Sequence, residues 1–73
     1  MKKITEKEIK VLNAIKIYIE NENIPPTIRE ICKLSGFSSS STVHKYFRTL
    51  KAKGYITYRL GTYRSVSVLN KTH

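Results

Sequence analysis

The chain has little of what builds covalent or metal-bound scaffolds. Its one cysteine, Cys32, excludes an internal disulfide, and with only His44 and His73 beside it the set is too small for a zinc cluster. Gly36, Gly54 and Gly61 lie far apart, so no glycine-rich phosphate loop exists. No apolar run is longer than a few residues, so nothing spans a membrane. Lys2 and Lys3 have no apolar segment behind them to make a signal peptide. A reduced cytoplasmic protein is expected. Seventy-three residues make one small domain, too small for a cleft between two subdomains. Neither an enzyme nor a bound cofactor is expected.

The most informative absence is of negative charge. All five acids, Glu6, Glu8, Glu20, Glu22 and Glu30, lie in the first thirty residues, where six cations leave a net +1. From residue 31 onward there are eight cations and no acid, a net +8 of the chain's +9. A one-sided basic half is the footprint of a polyanion partner, against the plainer reading of lysines that only keep a small domain soluble. Nucleic acid is favoured over an anionic membrane, because no segment is basic on one face and aromatic on the other.

What is present reads as three helices and a hairpin. Thr5-Glu6-Lys7-Glu8 is a capping box, and Ile4 with Ile9 forms the matching hydrophobic staple. Ile9, Leu12, Ile15 and Ile19, widened by Val11 and Tyr18, predict one buried stripe on a helix over about 5–22. Asn23 is its stop, and Pro25-Pro26 forbids continuation. A second box, Thr27-Ile28-Arg29-Glu30, opens a helix over about 27–35 with Ile28, Ile31 and Leu34 inward and Cys32 partly so. Gly36 ends it, and Phe37 plugs the turn. Ser38–Ser41 offers N-caps for a third helix over about 40–53, with Val43, Phe47 and Leu50 as its core stripe, Tyr46 at the edge and Gly54 closing it. The period then changes to two. Residues 55–60 and 64–69 alternate about Gly61-Thr62-Tyr63, a β-hairpin with Ile56, Tyr58, Leu60, Val66 and Val68 on its inner face. The expected class is mainly α (α+β): a winged helix-turn-helix, with the hairpin at about 55–69 as the wing.

With Val43, Phe47 and Leu50 facing the core, the other face of the third helix carries Ser41, Lys45, Arg48 and Ala52, flanked by Thr42, His44 and Thr49, with Ser39 and Ser40 at its start. Small hydroxyls followed by cations, without a bulky apolar group, suit a major groove. The plainer reading is a solvated face whose serines are caps, but capping needs one serine and here four stand in a row. Arg59 and Arg64 near the hairpin turn, with Tyr63 at its tip, are placed to reach the backbone or a minor groove. Tyr18, Tyr55 and Tyr58 are expected to pack rather than to form a stacking platform for single strands. Cys32 reads as a small buried hydrophobe.

The stretch Pro25-Pro26-Thr27-Ile28-Arg29-Glu30-Ile31, then Leu34 through Gly36-Phe37, resembles the N-terminal DNA-binding domain of LexA-type repressors. So do Ser39-Ser40-Ser41-Thr42-Val43-His44, then Leu50 and Lys53-Gly54-Tyr55-Ile56, in the form found in Gram-positive bacteria. The resemblance runs from about residue 4 to 69. It implies a winged helix-turn-helix that binds palindromic operators of DNA-damage (SOS) genes as two copies. It also implies groove-facing positions for Ser39, Ser41, Thr42, His44 and Lys45, with Lys53 and the wing nearer the backbone. Such repressors carry a second, self-cleaving and dimerising domain with a serine–lysine dyad, which has no counterpart in these residues. Two origins fit: an excised domain, or a short regulator from a phage or plasmid.

The expectation is a sequence-specific double-stranded DNA binder that represses transcription. A protein-interaction module and a non-specific nucleic-acid binder are the alternatives. No long apolar stripe is left once the core is filled, so a monomer in solution is expected, with two copies meeting on the operator.

Overall fold

The computed structural model describes residues 4–59 and 65–69. Thr5 caps the first helix, α1 (Glu6–Glu22): its hydroxyl accepts the Glu8 N–H at 3.2 Å, and the Glu8 carboxylate accepts the Thr5 N–H at 2.7 Å. Thr27 and Glu30 repeat the arrangement at 3.2 and 2.8 Å at the head of α2 (Ile28–Ser35). Each box satisfies two amides that the helix itself leaves without partners. At the end of α1, Asn23 adopts a left-handed φ of 60° and donates its N–H to the Ile19 carbonyl. Gly36 does the same for α2 at φ 77°, its N–H reaching the Cys32 carbonyl. The third helix, α3 (Ser40–Ala52), starts at the N-cap Ser39, whose hydroxyl accepts the Ser41 N–H at 3.2 Å. Beyond it the chain turns through Lys53 and Gly54.

The hairpin pairs β1 (Ile56–Thr57) antiparallel with β2 (Ser67–Val68), Ile56 opposite Val68 and Thr57 opposite Ser67. Leu69 N–H to the Tyr55 carbonyl, 2.9 Å, extends the pairing by one bond. The ladder is shorter than the alternation over 55–69 predicts. Leu60, Tyr63 and Arg64 lie outside the described residues. Three helices followed by an antiparallel hairpin is the winged helix-turn-helix layout.

The core joins Val11, Leu12, Ala14 and Ile15 of α1 to Ile31 of α2, Val43, Phe47 and Leu50 of α3, and Ile56 and Val66 of the hairpin. Tyr18, Ile19, Ile28, Cys32, Phe37, Tyr46, Tyr55, Tyr58 and Val68 pack around it, half-buried. The Cys32 thiol donates to the Phe37 carbonyl at 3.0 Å, and the Phe37 ring lies 5.4 Å from Tyr46.

Two expected core residues are not in the core. Ile9 is 40 % exposed and Leu34 54 % exposed. Helical spacing fixes which residues share a face, but the packing of α1 against α2 and α3 decides the phase. In α2 the inward position after Ile31 falls one turn later on Ser35, which is buried and donates its hydroxyl to the Ile31 carbonyl. That bond satisfies the buried hydroxyl. Leu34 instead lines a shallow groove with Ile17, itself 51 % exposed, between α1 and α2. Some apolar surface is therefore left over at Ile17 and Leu34, but not as a long stripe.

Candidate nucleic-acid interface

Burial of Val43, Phe47 and Leu50 fixes the rotation of α3 and turns Ser40, Ser41, His44, Lys45 and Arg48 to solvent, with Ser39 exposed at the cap and Thr42 half-buried beside them. α1 and α2 each carry acids in their first turn (Glu6 and Glu8, then Glu30), which offset the positive end of the helix dipole. α3 carries none. Its amino end is therefore left positive, with one hydroxyl-capped amide and further amides directed outward, an arrangement suited to a phosphate oxygen. Lys45 and Arg48 continue the positive surface along the next turn.

This face forms one wall of a groove of about 660 Å³. Ser40, Ser41 and His44 line it from α3, Arg29 from the first turn of α2, and Tyr58 and Ser65 from the hairpin. Arg29 was not among the residues that the sequence singled out, because it sits in the half where acids and bases balance. A cation in the first turn opposes the helix dipole, but Lys7 stands at the same place in α1, so no local signal distinguishes Arg29.

The hairpin stands beside α3 through Tyr58, whose ring centroid lies 6.0 Å from that of Phe47. Lys51 in the last turn of α3 donates to the Tyr58 carbonyl at 3.0 Å. Its ammonium lies 4.5 Å from the centre of the Tyr58 ring. Arg59 is exposed, and its N–H donates to the Ser65 hydroxyl at 2.8 Å across the hairpin. Tyr63 and Arg64 fall outside the described residues.

Lys53 differs from expectation. Rather than reaching outward, its ammonium lies 2.7 Å from Glu8 Oε1, with the side chains 14 % and 6 % exposed. Burial alone raises the Glu8 carboxyl, but the Lys53 ammonium and the Thr5 amide and hydroxyl outweigh it, and its pKa falls below the ordinary 4.5. An acid paired this way keeps its lysine for the interior.

Among the described residues, no group of three His, Cys, Asp or Glu side chains is gathered where a metal could bind. No helix of the described residues is long and apolar enough to cross a membrane.

Comparison with known proteins brings these observations together. Residues 1–65 match the family described as the LexA DNA binding domain. The chain is 41 % identical over 68 residues to a LexA repressor of Acetivibrio thermocellus, covering 93 % of this chain and 32 % of that protein. It is 45 % identical over 53 residues to one from Carboxydothermus hydrogenoformans, covering 73 % and 26 %. A LexA repressor of Bacillus thuringiensis is 35 % identical over 71 residues, covering 97 % and 34 %. The chain thus spans about a third of the length of the curated relatives it matches.

Proposed function

Because the chain belongs to the LexA DNA-binding domain family, we propose that it is a sequence-specific, non-enzymatic double-stranded DNA binder that represses transcription from LexA-type palindromic operators. The observation that carries this is the solvent face of α3: hydroxyls at an amino end without acids, then His44, Lys45 and Arg48. α3 enters the major groove with Ser39, Ser40, Ser41, Thr42, His44 and Lys45 towards the bases. Arg48 and the wing cation Arg59 face the backbone, and Arg64 and Tyr63, outside the described residues, are assigned to the same role from the sequence alone. Arg29 joins them as a phosphate contact from the far wall of the groove. Lys53 belongs to the interior ion pair instead.

Half-sites on a two-fold operator are about 34 Å apart, while the longest extent of this fold is 29 Å. One copy therefore occupies one half-site, and two copies fill the operator. The setting is the bacterial cytoplasm, on the nucleoid.

The test is a salt titration of binding to a duplex with a GAAC…GTTC palindrome and to the same composition scrambled. Each mismatched pair costs about 1–3 kcal/mol, so scrambling should weaken binding by well over tenfold at every salt concentration. Equal, steeply salt-dependent affinities for both duplexes would mean a non-specific binder. Absence of binding to either would leave a protein-interaction module.

A further inference from the structure

The eight cations from residue 31 onward look alike in the sequence, yet they do not all face outward. Lys53 is drawn to Glu8. Lys51 is engaged differently: one ammonium holds both the carbonyl of Tyr58, at 3.0 Å, and the face of its ring, at 4.5 Å. Tyr58 is the first residue beyond β1, so its carbonyl lies past the regular strand pairing, and Lys51 supplies it with a donor. The same ring leans on Phe47, which is 4 % exposed in the core face of α3. Lys51 thus closes a loop from α3 to the hairpin backbone and, through the ring, back to α3. Immediately beyond, Ser65 holds Arg59 N–H.

We propose that Lys51 is a positioning residue for DNA reading: it fixes the angle between the wing and the recognition helix, and does not act as a phosphate contact. The inference rests on the DNA-binding reading above. Its physical basis is that cation–π contact and a charge-assisted hydrogen bond to one residue add in the same geometry. Arg59, which reaches DNA from the wing, is then presented by Lys51.

The experiment uses the whole chain, the palindromic duplex as probe, and the variants Lys51→Met, Lys51→Gln, Lys51→Arg, Arg59→Ala and Lys51→Met/Arg59→Ala. Affinity is followed against salt concentration, and amide hydrogen exchange is followed without DNA. Lys51→Met and Lys51→Gln should bind about three- to tenfold more weakly with the salt slope of the parent, as expected for lost positioning. Lys51→Arg should restore affinity, since a guanidinium both stacks and donates. The penalty of Arg59→Ala should shrink in the Lys51→Met background. In free protein the Leu69 amide, bonded to Tyr55 across the hairpin, should exchange about three- to tenfold faster in Lys51→Met, with Ile15 and Ile31 unchanged. A salt slope lowered by about one in Lys51→Met would make it a phosphate contact and overturn the proposal. So would parental affinity together with parental exchange. If the parent itself fails to prefer the palindrome, the functional reading falls, while the exchange data still decide whether Lys51 holds the wing.

Discussion

Lys53 Nζ and Glu8 Oε1 meet at 2.7 Å across 45 residues of chain, joining the turn after α3 to the first turn of α1. Glu8 also accepts the Thr5 amide. One buried carboxylate therefore ties the cap of α1 to the end of the helix that the proposed function sends into DNA.

That relationship makes stability depend on acid. The folded Glu8 carboxyl lies below its ordinary 4.5, so its stabilisation is fully present above about pH 5 and is lost as pH falls through the folded value. Glu8→Gln keeps the capping acceptor but loses the charge, and should cost about 1–2 kcal/mol at pH 7. Urea unfolding at pH 7, 5, 4 and 3 checks this. The gap between parent and variant should hold above about pH 5 and narrow as pH falls from there through the folded value. A gap that stays constant to pH 3 would mean that the pair contributes nothing through its charge.

Features set within one turn of chain were legible in the sequence, and features set by packing were not. Both capping boxes form with the residues expected, because Thr5 with Glu8 and Thr27 with Glu30 interact over three residues. The core stripe of α3 is likewise as read, since Val43, Phe47 and Leu50 are the only large aliphatic or Phe residues on that helix. α1 carries apolar residues on more than one face, and the choice that leaves Ile9 outside comes from its neighbours. The exposed face of α3 follows from its core stripe, but the Lys53–Glu8 pair and the place of Arg29 beside α3 depend on helices brought together in space. A count of cations therefore overstates the surface available to phosphate.

Gly36 provides a purely conformational test. Its φ is 77°, and a Cβ there would meet no atom within 4 Å. Gly36→Ala should thus destabilise the fold by about 1 kcal/mol through backbone strain alone, with Gly36→Asn milder. Thermal melts of the two variants would show the order, and an alanine variant as stable as the parent would show that the turn readjusts at no cost.

Leu50 is fully buried where α3 meets the hairpin and α1. Truncation to alanine at such sites costs about 2–5 kcal/mol. A domain of this size has only a few kcal/mol in all, so Leu50→Ala should be substantially unfolded at 37 °C. Far-UV circular dichroism should show helix content recovered on cooling or by adding the palindromic duplex, which binds only the folded chain.

Lys45 and Arg29 should separate base reading from phosphate binding. Lys45→Ala should cost about 1–3 kcal/mol on the palindrome and relax preference at one position. Arg29→Ala, on the α2 wall of the groove, should weaken all sequences alike and lower the salt slope by about one. Competition with singly substituted duplexes distinguishes the two patterns. Parental behaviour of Arg29→Ala would remove the α2 wall of the groove from the interface, and parental behaviour of Lys45→Ala would remove Lys45 from base reading.

The assembly on DNA follows from dimensions and from the number of contacts. With a longest extent of 29 Å, one copy should reach one half-site of the proposed two-fold operator, whose halves would lie about 34 Å apart. A single copy brings few phosphate contacts, and few contacts give weak, salt-sensitive binding. The groove between α1 and α2 offers two exposed apolar side chains, Ile17 and Leu34, bordered by Asn21, Glu22, Glu30 and Lys33, whereas a stable interface takes about 20–30 residues a side. The chain should therefore sediment as a monomer without DNA and fill the two half-sites nearly independently. Joining a dimeric protein to its C-terminus should raise operator affinity by about 10²–10⁴ through effective concentration alone, with a linker able to span both sites. Sedimentation that shows a tight dimer of the unfused chain would overturn this, and replacing Leu34 with a polar residue would then show whether the α1–α2 groove forms its interface.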